Sequence, residues 1–213
     1  MAIEGSAYPA RLAIDYPERL NRVTTAFRII LVIPIFVVLS TLTGASGSFV
    51  TGDGNTVVTV AGGLAGSVGI ATMLMILFRR RYPRWWFDFA LALTRFSTRA
   101  AAYGALLSDQ YPSTEDEQSV HLDIDYPDVE RDLNRWLPLV KWLLAIPHFI
   151  VLIFLSILVL FSVVIAWFAI LFTGRYPRGL FNFVVGVGRW QNRVLAYAVL
   201  MVTDEYPPFS LDE

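Results

Sequence analysis

Three long apolar stretches alternate with short polar blocks along this chain. Thr24 to Leu42 and Val57 to Phe78 each approach the roughly 20 residues a helix needs to cross hydrocarbon. The third, Trp136 to Phe172, is nearly unbroken, and as one straight helix it would be about 55 Å long against a hydrocarbon core of about 30 Å. It is therefore expected to fold back as a hairpin within 136–173, near Ser156 to Ser162, although neither Gly nor Pro marks a turn there. Segments 85–107 and 178–202 differ in being apolar with one polar stripe. Asp88, Arg95 and Arg99 are spaced seven and four apart, and Asn182, Arg189 and Arg193 repeat that spacing, so each set shares one helix face. Two amphipathic helices are predicted. They either lie along the membrane surface with their cations at the headgroups, or are buried with the Arg stripe paired to acidic groups inside the protein. Finally, "RLAIDY" and "VHLDIDY" alternate apolar and polar residues with period two, which predicts short strands ended by Pro17 and Pro127. The strands could pair with each other or across subunits.

Similar segments return in the same order, as in an internal duplication. "IDYP" occurs at Ile14 and Ile124, "LNR" at Leu20 and Leu133, Ile-Pro at Ile33 and Ile146, "RYPR" at Arg81 and Arg175, and Asp-x-Tyr-Pro at Asp109 and Asp204. Between the Ile-Pro and RYPR markers the first copy is longer, and its surplus, "TGASGSFVTGDGNTVV", reads as an exposed loop. Two repeats are thus expected, 8–112 and 120–208, joined by an acidic linker and strand at 113–135.

Composition moves the picture from apolar to membrane-embedded. The 213 residues are 55% hydrophobic and 16% charged, with a mean hydropathy of +0.54, whereas soluble domains carry roughly 25% charged residues. Every Lys and Arg lies in Arg11 to Arg28, Arg79 to Arg99, Arg131 to Lys141 or Arg175 to Arg193. The loop near Gly44 to Thr56 has none. By the positive-inside rule both termini, both RYPR motifs and the linker face the cytoplasm, with two hairpins entering from that side. The first residues are polar, so no cleavable signal peptide is expected.

Candidate chemistry is sparse. Arginine outnumbers lysine sixteen to one, and guanidinium grips phosphate bidentately. Arg81, Arg84, Arg95 and Arg99, with Arg175, Arg178, Arg189 and Arg193, are candidate contacts to anionic lipid headgroups, against plain positive-inside bias. Seven of the nine tyrosines precede proline, which makes each a stiff corner carrying an amphipathic ring. Tyr82, Trp85, Trp86, Trp136 and Tyr176 are candidate interfacial anchors. His148, inside an apolar stretch, could contact haem or a pigment, but its counterpart is Ile35 and a hydrogen-bonded histidine is the simpler expectation. No cofactor and no metal site is expected, with cysteine absent and only two histidines. No nucleophile elbow, phosphate loop or zinc-protease motif is present, so no enzyme is expected.

With IDYP, LNR, Ile-Pro, RYPR and Asp-x-Tyr-Pro assembled, residues 8 to 208 resemble an uncharacterised bacterial family of multi-pass membrane proteins, domain-of-unknown-function family 4389. The resemblance implies a bacterial cytoplasmic-membrane protein and assigns no residue a role. The expected fold is an all-α integral membrane protein of two tandem parallel repeats. Each would be a transmembrane helical hairpin plus an amphipathic interfacial helix, with short β segments in the cytoplasmic connectors. The expected function is a non-enzymatic scaffold or auxiliary subunit of a membrane complex, with membrane shaping, or lipid or small-amphiphile binding or transport, as alternatives. Partners would be anionic lipids and either further copies of the chain or other subunits, without nucleic acid.

Overall fold

The computed structural model describes residues 8–43, 46–50, 57–61, 64–114 and 118–212. The order of elements is β1 (Ala10–Ile14), α1 (Arg22–Ala26), α2 (Arg28–Thr43), β2 (Ser46–Val50), β3 (Val57–Ala61), α3 (Leu64–Leu74), a π-helical turn (Met75–Arg79), α4 (Arg84–Gly104), β4 (Val120–Ile124), α5 (Pro138–Leu144), α6 (Ile146–Thr173) and α7 (Arg178–Ala198). The fold is mostly helical.

The two alternating segments do pair with each other. β1 and β4 form an antiparallel ribbon with Leu12 opposite Leu122 at its centre, Ala10 opposite Ile124 and Ile14 opposite Val120. One face carries Ala10, Leu12, Val120, Leu122 and Ile124, all buried, and the other carries Arg11, His121, Asp123 and Asp125. Period-two alternation thus puts one face on the core and one in water. A second antiparallel ribbon, β2 with β3, pairs Ser46 with Ala61 and Val50 with Val57.

The apolar stretches depart from expectation. The hairpin expected within 136–173 is absent: α6 runs unbroken for 28 residues, and only α5 precedes it. Nothing in "IPHFIVLIFLSILVLFSVVIAWFAILFT" disfavours helix, and the one break falls at Pro147, whose missing N–H interrupts the ladder between α5 and α6. Gly174, with φ at 74°, ends α6 by donating its N–H to Ile170 O at 2.7 Å. The span expected over 57–78 is a strand, β3, followed by α3 and the π-turn, and that over 24–42 divides at Phe27 into α1 and α2. Among the described residues α6 alone is long and apolar enough to cross a membrane. The segments expected as amphipathic helices over 85–107 and 178–202 end earlier, at Gly104 and Ala198.

Beyond each end the chain turns through a left-handed residue, Leu106 (φ 65°) and Met201 (φ 55°). Both side chains are buried, which favours them over glycine despite a backbone cost of about 1 kcal/mol. The main core lies where the buried face of the β1–β4 ribbon meets α4, α7, α3 and the C-terminal half of α6.

Candidate lipid interface

Positions that match in the sequence make matching contacts, and RYPR shows it best. A left-handed residue precedes each copy, Arg80 (φ 48°) and Gly174 (φ 74°). Tyr82 and Tyr176 then turn inward, 3% and 1% exposed, so neither is the surface anchor expected from the sequence. The physical reason is aromatic packing: each meets a core phenylalanine edge-on, Phe87 at 5.7 Å and Phe181 at 5.7 Å between centroids. Burial pushes the Tyr82 hydroxyl up to about 12, and raises that of Tyr176 as well, so both stay protonated. Pro83 and Pro177 precede the first turns of α4 and α7 with φ of −58° and −62°.

Each corner is fastened by the tyrosine of the other IDYP. Tyr126 donates its hydroxyl to Tyr82 O, and Tyr16 donates to Tyr176 O. Arg84 lies over the Tyr126 ring at 4.4 Å and Arg178 over the Tyr16 ring at 5.0 Å.

The arginine stripes are turned to the protein. Arg95 Nε donates to Leu122 O at 2.8 Å, and Arg189 Nε donates to Leu12 O at 3.0 Å. Arg95 also pairs with Asp123 at 3.0 Å. Arg99 donates to Ser113 O at 2.7 Å, and Arg193 to Ser210 O at 3.4 Å and to Asp212 O. These contacts lie within the protein and run mainly to backbone carbonyls, with the acidic side chain of Asp123 beside Arg95. A backbone carbonyl on a strand at the crossing of the two helices is a partner no periodicity could name.

Two cation sites missed as such in the sequence are Arg28 and Lys141. Arg28 pairs with Asp109, donates to Ser108 O at 2.8 Å and lies 4.0 Å over the Tyr103 ring. Lys141 pairs with Asp204 at 2.7 Å, donates to Thr203 O at 2.7 Å and lies 5.2 Å from the Tyr197 ring. Burial lowers the pKa of Lys141, against the opposing pull of Asp204. The sequence signal was present, because Asp-x-Tyr-Pro supplies both aspartates.

His148 is fully buried. Its Nδ1 accepts from Trp190 Nε1 at 3.0 Å, and its ring stacks on Phe209 at 3.9 Å with Tyr206 alongside. Its Nε2 is buried with no hydrogen-bond partner among the described residues. Among the described residues no group of His, Cys, Asp or Glu could hold a metal ion.

Surface cations gather at the corners. Arg79, Arg80, Arg81 and Arg84 line an open basin of about 980 Å³ together with Asp128 and Glu130, and Arg19, Arg22 and Arg175 line a smaller one of about 490 Å³. Beside each stands an outward phenylalanine, Phe78 (71% exposed) and Phe172 (78%). Trp85 and Trp136 are exposed, whereas Trp86 donates its Nε1–H to Thr72 Oγ1 at 2.9 Å. The outward faces of α6 and α2 are mostly apolar, with Ile153, Phe154, Leu160 and Phe161 on α6 and Ile29, Ile30, Phe36 and Val37 on α2 all exposed, and Ser156, Thr173 and Ser40 the polar residues exposed beside them. A continuous exposed surface of this kind is foreign to a water-facing protein.

Between α4 and α7 lies a cleft of about 420 Å³. Leu93, Ala101, Val184 and Leu195 line it from the two helices, Ser156 and Val159 from α6, and Leu12 from β1. Its polar spots are Thr94, Ser97, Thr98, Gln191 and Asn192, with Thr98 Oγ1 donating to Asn192 Oδ1 at 3.4 Å where α4 and α7 approach.

A family model described as a domain of unknown function (DUF4389) matches residues 136–210, which hold α5, α6, α7 and the segment after it. No curated protein and no solved structure gives a match.

Proposed function

We propose that this protein is a non-catalytic membrane module, a scaffold or auxiliary subunit of a larger membrane assembly, built from two copies of one unit that exchange their N-terminal strands. The observation that carries the membrane part is the exposed apolar face of α6 and α2, bordered at matching positions by Phe78 and Phe172 with the corner arginines. Such a face removes apolar area from water only by contact with lipid or another apolar surface. The corner basins hold the arginines with the best access to anionic headgroups: Arg81, Arg84 and Arg175 from the sequence, and Arg79, Arg80, Arg19 and Arg22 besides. The non-catalytic reading is supported by the ties of the buried ionisable groups: Arg28 and Lys141 each meet an aspartate and a backbone carbonyl oxygen, Arg193 donates to Ser210 O and Asp212 O, and His148 Nδ1 accepts from Trp190.

Purification of the tagged chain from its own membranes in mild detergent tests the scaffold role. A stable partner or homo-oligomer is expected; a strictly monomeric protein with nothing bound in defined amount overturns it.

The cleft between α4 and α7 supports a second role, binding of one alkyl chain of a lipid or small amphiphile. Its volume falls in the range of ligand pockets, and its lining is apolar with a few polar groups. Mass spectrometry of the natively purified protein should find an amphiphile that Ala101→Phe, which fills the cleft, displaces. Equal lipid content in the two proteins overturns this role.

A further inference from the structure

We infer that α6 does not cross the bilayer but lies lengthwise in one leaflet, its apolar face in the hydrocarbon of the same side that faces the β1–β4 ribbon; this rests on the membrane reading above. The ribbon itself is in water. Asp15 and Asp123 have side chains 72% and 67% exposed, and the Arg11–Asp125 pair is 49% and 56% exposed. Charges of this number and exposure are not placed in hydrocarbon.

Both RYPR corners hang from that ribbon. Tyr126 stands two residues beyond β4 and holds the Tyr82 carbonyl, and Tyr16 stands two residues beyond β1 and holds the Tyr176 carbonyl. Five paired residues span about 17 Å, so the two corners sit at the two ends of one short aqueous ribbon. They share a side of the membrane.

The ends of the α5–α6 segment are fixed to those corners. Before α5, Arg135 Nε donates to Leu77 O at 2.7 Å, four residues ahead of the first RYPR. After α6, Gly174 leads directly into the second, and its carbonyl accepts from Leu20 N at 3.0 Å. A segment that starts and finishes on one side must turn back if it crosses, and α6 has no turn: it is a single helix about 42 Å long. The seven residues of α5 reach about 10 Å at most, less than half of a core of about 30 Å, so the N-terminal end of α6 stays within the near leaflet. α2 and α3, 16 and 11 residues, are about 24 and 17 Å long and reach across no better. This arrangement also keeps the cations at both ends of α6 on one side without the hairpin that the length of the apolar run predicted.

The absence of native cysteine makes the test direct. Single cysteines are placed in the full chain at Glu130 and Gly179, near the two ends, and at Ile150, Ile157 and Phe168 along the outer face of α6. In right-side-out and inverted vesicles from expressing cells, Glu130→Cys and Gly179→Cys should react with an impermeant maleimide from the same side. Fluorophores at 150, 157 and 168, in vesicles of phosphatidylcholine and phosphatidylglycerol, should all be quenched best by a quencher held in the upper acyl region, at nearly equal depth. Reaction of the two ends from opposite sides, or a depth profile that passes through the midplane at Ile157, overturns the inference while leaving the membrane reading intact. Fluorophores shielded from every lipid quencher would show that protein covers the face, which overturns it too. A chain that does not float with the vesicles removes the membrane reading first and this inference with it.

Discussion

At the scale of single residues, the fold is held by polar groups that each find a specific partner across a long stretch of sequence. Tyr16 and Tyr126 are the clearest, since each gives one hydroxyl to the backbone of the opposite corner and packs edge-on against a core phenylalanine at 5.0 and 5.1 Å. Tyr16→Phe and Tyr126→Phe keep the ring and remove one hydrogen bond. Each should cost about 1 kcal/mol, measured as a shift in denaturation midpoint followed by tryptophan fluorescence in mild detergent. Equal costs are expected if the two corners are equivalent; a loss at one only would separate them. Lys141 is a different case. Its side chain is 0% exposed, whereas its partner Asp204 retains 21% exposure. Lys141→Met would strand a carboxylate beside apolar surface and remove the donor to Thr203 O, for a loss of about 3 kcal/mol. In Lys141→Met with Asp204→Asn the stranded charge is gone, and the same measurement should recover part of that loss.

At the scale of elements, what was legible followed from what periodicity encodes. The strands, the two amphipathic helices and their matching stripes were readable because one face of each meets the core and the other does not. Which partner satisfies a stripe was not, because Leu12 and Leu122 offer carbonyls, and every residue has one. Trp136 to Phe172 misled for a physical reason: a length rule for crossing hydrocarbon says how long a helix must be, and says nothing of a helix that never crosses. The two copies also invited the wrong comparison. α2 packs Ile35 in one cluster with Phe96, as His148 of α6 packs against Trp190 at the matching position, and Ile76 in the π-turn stands to its RYPR as Ile170 of α6 does to its own. In the proposed two-copy reading, α2 and α3 together would correspond to α6, and the longer first copy would be one helix divided by an insertion. Deletion of residues 45–63 removes 19 residues and restores the spacing of the second copy between its Ile-Pro and RYPR markers. The shortened chain should fold, with circular dichroism showing retained helix and a melting midpoint close to that of the parent. Aggregation or loss of helix would show that the insertion is integral to the unit.

At the scale of the whole molecule, the proposed placement stacks the ribbon, the α4–α7 layer and the apolar helices from water toward lipid, and this order carries a mechanical consequence. A helix about 42 Å long and about 10 Å wide, seated in one leaflet, expands that leaflet and not the other. α2 and α3 add a similar footprint. The exposed residues that do this are large: Phe154, Phe161, Phe168 and Phe172 on α6, and Ile29, Ile33 and Phe36 on α2. Rigid coupling through the ribbon keeps the two footprints in fixed relation, so the molecule acts as one wedge. Dense reconstitution should therefore draw vesicles of phosphatidylcholine and phosphatidylglycerol into tubules or small vesicles, visible by electron microscopy. The curvature should weaken when Phe154 and Phe161 are both changed to serine, since the α6 face then no longer seats at the same depth. Vesicles that stay round at high protein density, with the chain bound, would mean that the apolar face is shared between lipid and a partner subunit, which is the geometry a scaffold requires and a wedge does not.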